Sequence, residues 1–213
     1  MRIVYLHGFA SSPNSAKARF FRECFRQAGV EMQVPALDRG DFTHLTITSQ
    51  LEAIEEAVAA RPAVLMGSSL GGYLAALFAS THSEIEKLIL LAPAFGFPRR
   101  WCERYGQEEL DLWKRRDVWP VFHYGAGRHL PLSYQIVEDS LRYEPEPEFS
   151  QPALIFHGTR DPVVPVDSSR EYATRHSNVV LRVLNSGHEL TDVVEEIWSG
   201  IRAFLNLPTP AAA

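Results

Sequence analysis

The chain has 213 residues, of which 46% are hydrophobic, enough for a full core and far from the composition of a disordered segment. Its formal net charge of −5 gives no electrostatic footprint for nucleic acid, and no run of like charges marks a membrane-binding patch. The longest apolar stretches are strand-sized, so no stable membrane insertion is expected. Met1–Leu6 is too short for a signal-peptide core, and the expected compartment is the cytoplasm.

Strand-like and helix-like segments then alternate, the pattern of a parallel sheet covered by helices on both faces. Ile3–Leu6 is a short apolar run ended by His7-Gly8 and predicts a strand. Ser12-Pro13 offers an N-cap and a first-turn proline. Ala16, Phe20, Cys24 and Ala28 then recur every fourth residue up to Gly29, which predicts a helix with Cys24 as a buried thiol. Met32–Leu37 reads as the next strand. Ile47, Leu51, Ile54 and Val58 follow helical spacing until Pro62. Ala63–Met66 is a buried strand, Leu70–Ala79 a helix of small residues, and Ile85–Leu91 another strand.

After Pro93 the alternation stops. Residues from about 96 to 150 carry aromatics, charges and prolines without a strand pattern. An insertion of roughly 50 residues is too long for a plain connection, and such segments are often lids. Glu108-Glu109 and Lys114-Arg115-Arg116 read as the two ends of a helix, charged to suit its dipole. The sheet resumes at Ala153–Phe156 and Val179–Leu184. Leu190, Val194, Ile197, Ile201 and Phe204 mark a closing helix, and the tail Pro208–Ala213 is expected to fray. The expectation is one α/β domain over residues 1–213: about six mostly parallel strands, helices on both faces and a small helical cap at about 96–150.

Gly67-Ser68-Ser69-Leu70-Gly71 fits the pattern G-x-S-x-G, with a buried strand before it and a helix after it. In that context the serine of a nucleophile elbow sits in a sharp strained turn with its hydroxyl exposed above the sheet. Ser69 is the candidate nucleophile, and Ser68 is expected to point elsewhere. A serine hydroxyl needs a base, and this arrangement places an acid and then a histidine later in the chain. His188, in Asn185-Ser186-Gly187-His188-Glu189, follows the last strand and is the candidate base. His157 closes a strand and is expected to bond locally; His123, His129 and His176 have no matching turn. Asp161 follows the Ala153–Phe156 strand and can hold one imidazole tautomer. Asp167 is the second choice, closer to the next helix, where it can act as a cap. Two backbone donors should receive the oxyanion: the Leu70 N–H, and Phe9 N–H in the loop His7-Gly8-Phe9-Ala10, with Ala10 as the fallback. His7 is expected to prop that loop. No His/Cys spacing suits a metal, and no cofactor is expected.

With these residues in hand, the chain resembles the α/β-hydrolase superfamily throughout. Tyr5-Leu6-His7-Gly8-Phe9-Ala10-Ser11-Ser12-Pro13-Asn14-Ser15-Ala16-Lys17-Ala18 and Met66-Gly67-Ser68-Ser69-Leu70-Gly71-Gly72-Tyr73 are similar to the opening and the elbow of the small bacterial YqiA-type esterases. The resemblance implies hydrolysis of small esters or thioesters, acyl-CoA type substrates included, and it implies the same triad of Ser69, Asp161 and His188. Trp101–Glu148 departs from that subfamily in length and charge. Its aromatics suit either a lid lining an acyl pocket or a small satellite core. Amide, peptide or carbon–carbon bond cleavage on the same scaffold is the alternative chemistry, and a non-catalytic binding module is the alternative from another class.

Overall fold

A computed structural model describes residues 1–208, without the side chain of Pro98. The expected frayed tail lies, beyond Pro208, outside the described residues. Six strands, β1 (Arg2–Leu6), β2 (Glu31–Gln33), β3 (Ala63–Ser68), β4 (Ile85–Leu91), β7 (Ala153–Gly158) and β8 (Val179–Leu184), form one sheet in the order β2-β1-β3-β4-β7-β8. Every pairing in it is parallel. This is the parallel α/β architecture expected from the alternating segments.

Strand side chains alternate between two cores. Ile3, Tyr5, Val64, Met66, Ile89, Leu154 and Phe156 face α1 (Ala16–Gln27) and α8 (Val194–Leu205). Val4, Leu6, Leu65, Leu88, Leu90 and Ile155 face α2 (Ile47–Val58), α3 (Leu70–Ala79) and α7 (Val166–Arg175). From β1 the chain first steps outward to β2 and then returns past β1 to β3. The order therefore reverses between β1 and β3, the crevice where open α/β sheets hold ligands.

Three local readings change. Helix α1 begins later than expected, capped by the Ser15 hydroxyl, which accepts from Ala18 N–H at 3.3 Å. Its buried face is Lys17, Ala18, Phe21 and Phe25, one position out of phase with Ala16, Phe20, Cys24 and Ala28. Cys24 is only half-buried. Strand β2 covers three residues at the sheet edge rather than Met32–Leu37, because Pro35 cannot extend a ladder.

The third change concerns the insertion, which is not purely helical. It holds α4 (Phe97–Tyr105), α5 (Gln107–Arg116) and α6 (Gln135–Ser140), as well as an antiparallel hairpin of β5 (Val118–His123) and β6 (Arg128–Ser133). Pro120 and Pro131 sit directly opposite each other in that hairpin. Leu110, Trp113, Leu132, Ile136 and Val137 form a separate buried cluster with Ala10, Phe42 and Leu45 of the main body. Trp113 is fully buried and its indole N–H donates to Leu132 O at 2.9 Å. The satellite-core reading of these aromatics is the one the packing supports.

Candidate active site

Ser69 lies at the junction of β3 and α3 with φ 53° and ψ −117°, a region that residues with a Cβ rarely adopt. The turn holds because the backbone around it is tied down. Ser69 N–H donates to Leu91 O at 2.9 Å, and its carbonyl accepts from Gly72, Tyr73 and Ala94. Two glycines permit the crossing. A Cβ on Gly67 would lie 2.1 Å from Gly71 O, and one on Gly71 would lie 2.1 Å from Leu6 O. Ser68 is buried and faces the Tyr5 phenol.

The loops after β7 and β8 pack together over this elbow. Thr159 N–H donates to Leu184 O and Arg160 N–H to Ser186 O. They bring His188 and Asp161 to Ser69. The Ser69 hydroxyl lies 3.0 Å from His188 Nε2, and His188 Nδ1 lies 2.7 Å from Asp161 Oδ2. The three side chains touch in series although the positions are distant along the chain.

Asp161 is rigidly held. Its Oδ1 accepts from Val163 N–H and Val164 N–H, each at 2.8 Å, and its carboxylate has no exposed surface. Burial pushes its pKa up. The contacts from His157, His188 and Val164 N–H push it down further than burial raises it, so the carboxyl stays well below the usual carboxylate range. Asp167 stands apart on the first turn of α7, exposed and paired with Arg170 at 2.8 Å.

His157 has a larger part than its sequence context suggested. It is fully buried. Its Nε2–H donates to Val164 O at 2.9 Å, its Nδ1 accepts from the Ser169 hydroxyl at 2.7 Å, and its Nε2 lies 3.2 Å from Asp161 Oδ2. Two imidazoles therefore flank one carboxylate oxygen. The other histidines do not approach Ser69: His129 is exposed, and His176 stacks on Tyr172. His123 belongs to the hairpin and packs edge-on against Phe42.

The loop after β1 runs alongside Ser69, since a Cβ on Gly8 would lie 3.6 Å from Ser69 Cβ. His7 props it as expected: Nδ1–H donates to Gly8 O at 3.0 Å, while Nε2 accepts from Leu37 N–H at 3.4 Å. Burial lowers the His7 pKa, consistent with a neutral ring that donates on one side and accepts on the other. Phe9 N–H and Leu70 N–H donate to no backbone acceptor among the described residues, so both are available to a ligand oxygen. The insertion packs on this loop. Tyr124 N–H donates to Ala10 O at 2.7 Å, and the Phe9 ring meets Trp101 of α4 edge-on at 5.1 Å. A cavity of about 400 Å³ opens between the loop and the hairpin, lined by Ser12, Phe42, His123, Arg128 and Leu130 among others.

The basic trio closes α5, as its charge pattern suggested. Lys114 pairs with Glu138 at 3.2 Å and lies over the Tyr134 ring, and Arg115 and Arg116 are exposed. No cluster of three or more potential metal ligands occurs among the described residues. A lysine in a helical stretch reads as solvated, but Lys17 is buried, and its ammonium donates to Glu189 O at 2.8 Å, next to His188.

Comparison with known proteins finds relatives of the same fold. The family model of the uncharacterised protein family UPF0227 matches residues 2–206. The mitochondrial palmitoyl-protein thioesterase ABHD10 of cattle is 23% identical over 210 residues, spanning 89% of this chain and 67% of that protein. The structure of mouse ABHD10 superposes with a TM-score of 0.80 at 20% identity, covering 96% of this chain and 89% of that one. Est1E of Butyrivibrio proteoclasticus, solved with ferulic acid, gives 0.79 at 19% identity, covering 96% and 88%. These structural likenesses establish the shared α/β-hydrolase fold.

Proposed function

The chain belongs to the UPF0227 family, and from that premise we propose that it is a serine hydrolase cleaving carboxylic esters or thioesters, acyl-CoA type thioesters included, through an acyl-enzyme at Ser69. One observation carries the reading: the unbroken contact of hydroxyl, imidazole and carboxylate at 3.0 and 2.7 Å. The names of its relatives, a palmitoyl-protein thioesterase and a monoacylglycerol lipase among them, favour ester and thioester substrates over amides.

In this reading Ser69 Oγ attacks the acyl carbonyl carbon while His188 Nε2 takes its proton. Asp161 holds His188 Nδ1–H and offsets the positive charge of the imidazolium. The carbonyl oxygen becomes an oxyanion held by Leu70 N–H, at the positive end of α3, and by Phe9 N–H. Collapse breaks the bond to the alcohol or thiol, which leaves with the proton from His188. Water, deprotonated by His188, then attacks the acyl-serine. The carboxylic acid departs and the proton returns to Ser69. Each oxyanion donor contributes about 3–4 kcal/mol to the transition state.

Residues 1–213 act as one unit in this reading, with the cap at about 96–150 closing over the small-molecule substrate. We place it in the cytoplasm, a reading supported by composition; no described helix is long and apolar enough to cross a membrane. Recovery in an exported or organelle fraction would refute that placement. The activity is tested with short-chain nitrophenyl esters and acyl thioesters on wild type and Ser69→Ala. Turnover by wild type alone supports the reading, and equal rates refute it. Turnover of amides or diketones without esters would move the assignment to a different bond. A fluorophosphonate probe that leaves Ser69 unlabelled would point to a binding module.

A further inference from the structure

Lys17 is a buried cation that the proposed steps do not use. It projects from the first turn of α1, directly after the Phe9 loop, and is only 9% exposed. Removing an ammonium from water is costly unless charges or dipoles replace the solvent. Its hydrogen bond goes to a backbone carbonyl, Glu189 O, at 2.8 Å, and no carboxylate within ion-pairing distance is found for it among the described residues. The Coulombic compensation comes from farther away, from Glu189 and from Asp161.

The surroundings limit what this charge can act on. Asp161 and Glu189 come from the loops after β7 and β8. From β1 comes the Tyr5 phenol, which burial keeps protonated and which Glu189 also reaches. On α8, Glu195 acts on Cys24, two turns farther along α1. On β2, Glu31 acts on Arg2. The fixed charges that meet at Lys17 are therefore the triad acid and the residue following the base. Burial lowers the lysine pKa, and those two carboxylates raise it again.

We propose that Lys17 is a positioning residue of this site: its ammonium pins the segment following His188 onto α1 and sets a permanent positive charge behind the acid–base pair. The inference rests on the hydrolytic reading above. At rest the ammonium offsets part of the negative charge of Glu189 and Asp161. In the transition state the imidazolium and the oxyanion add one charge of each sign, so the net charge around the ammonium does not change. Like charges repel, so the presence of this charge behind the pair is read in the acid limb of the pH profile.

The test measures pH profiles of kcat/KM for a short nitrophenyl ester with the full chain. Wild type, Ser69→Ala, Lys17→Met and Lys17→Gln are compared. Lys17→Met loses both charge and hydrogen bond; Lys17→Gln loses the charge but can still donate to Glu189 O. Both should move the midpoint of the acid limb upward, by about half a unit to one unit. Lys17→Met should also lower the plateau kcat about tenfold with KM little changed, and Lys17→Gln should lower it less. The Tm of Lys17→Met should fall modestly, because Glu189 O loses its donor and the nearby carboxylates lose a partner. An acid limb at the wild-type position in Lys17→Gln overturns the proposal, even if Lys17→Met fails to fold. A lowered Tm with unchanged kinetics overturns it as well. An inactive wild type, or an active Ser69→Ala, would instead sink the hydrolytic reading.

Discussion

Replacing Asp161 with asparagine changes one atom of the carboxylate but reverses the direction of a hydrogen bond. Asp161 Oδ1 accepts two backbone N–H groups at 2.8 Å. The asparagine carbonyl can replace it there, so the amide nitrogen must take the place of Oδ2. That nitrogen donates, whereas Oδ2 accepts His188 Nδ1–H at 2.7 Å. His188 must then carry its proton on Nε2, the atom 3.0 Å from Ser69 Oγ, and it can no longer accept the serine proton. The new amide also faces His157 Nε2–H at the position where Oδ2 lies 3.2 Å away, a donor against a donor. We expect kcat for a nitrophenyl ester to fall by roughly 10³- to 10⁴-fold, about 4 to 5.5 kcal/mol in the barrier. Stability should fall by about 1–3 kcal/mol from the mismatched buried donors. Stopped-flow turnover and urea unfolding read the two effects separately. A kcat within tenfold of wild type would refute the tautomer argument.

Further expectations concern the frame around the site. In Gly71→Ala the new Cβ would meet Leu6 O at 2.1 Å and His7 O at 2.6 Å; both are backbone, so the end of β1 must move, and urea midpoints should report a loss of about 3 kcal/mol or more. A loss under about 1 kcal/mol would contradict that packing. Trp113→Ala empties the centre of the cap cluster, at a cost of about 3–5 kcal/mol; amide exchange should accelerate in residues 107–137 before it does in the sheet, and uniform protection would contradict a separate cap core. The lowered Asp161 pKa contributes stability that is fully present above the ordinary aspartate value of about 4 and is lost as pH falls from there through the folded value. Asp161→Asn should therefore flatten the decline of unfolding free energy below that pH, and parallel declines in the two proteins would contradict the linkage.

The elbow was legible because its constraints are local. Gly67, Ser69 and Gly71 must sit where a buried strand meets a helix, and all three lie within one pentapeptide. Asp161 and His188 were legible from their turns at strand ends. Helix α1 was misread because Phe20 and Phe21 are adjacent, and periodicity alone gives no reason to bury Lys17 rather than Ala16. That lysine is inside because of Glu189 and Asp161, charges contributed from across the fold. The contact of His157 with Asp161 was hidden for a similar reason, since Ser169 and Val164 orient the ring only after the chain has folded. The β5–β6 hairpin was missed because Pro120 and Pro131 argue against any strand that must donate along its length.

Those two prolines have a consequence for how the protein behaves in a crowded solution. A two-stranded ribbon has two open edges, each a template for a foreign strand. Placing imino acids face to face at its middle removes amide hydrogens midway along both strands, so a visiting chain finds an interrupted ladder. The segment can thus stand out from the main body and still resist the edge-to-edge stacking that leads to aggregates.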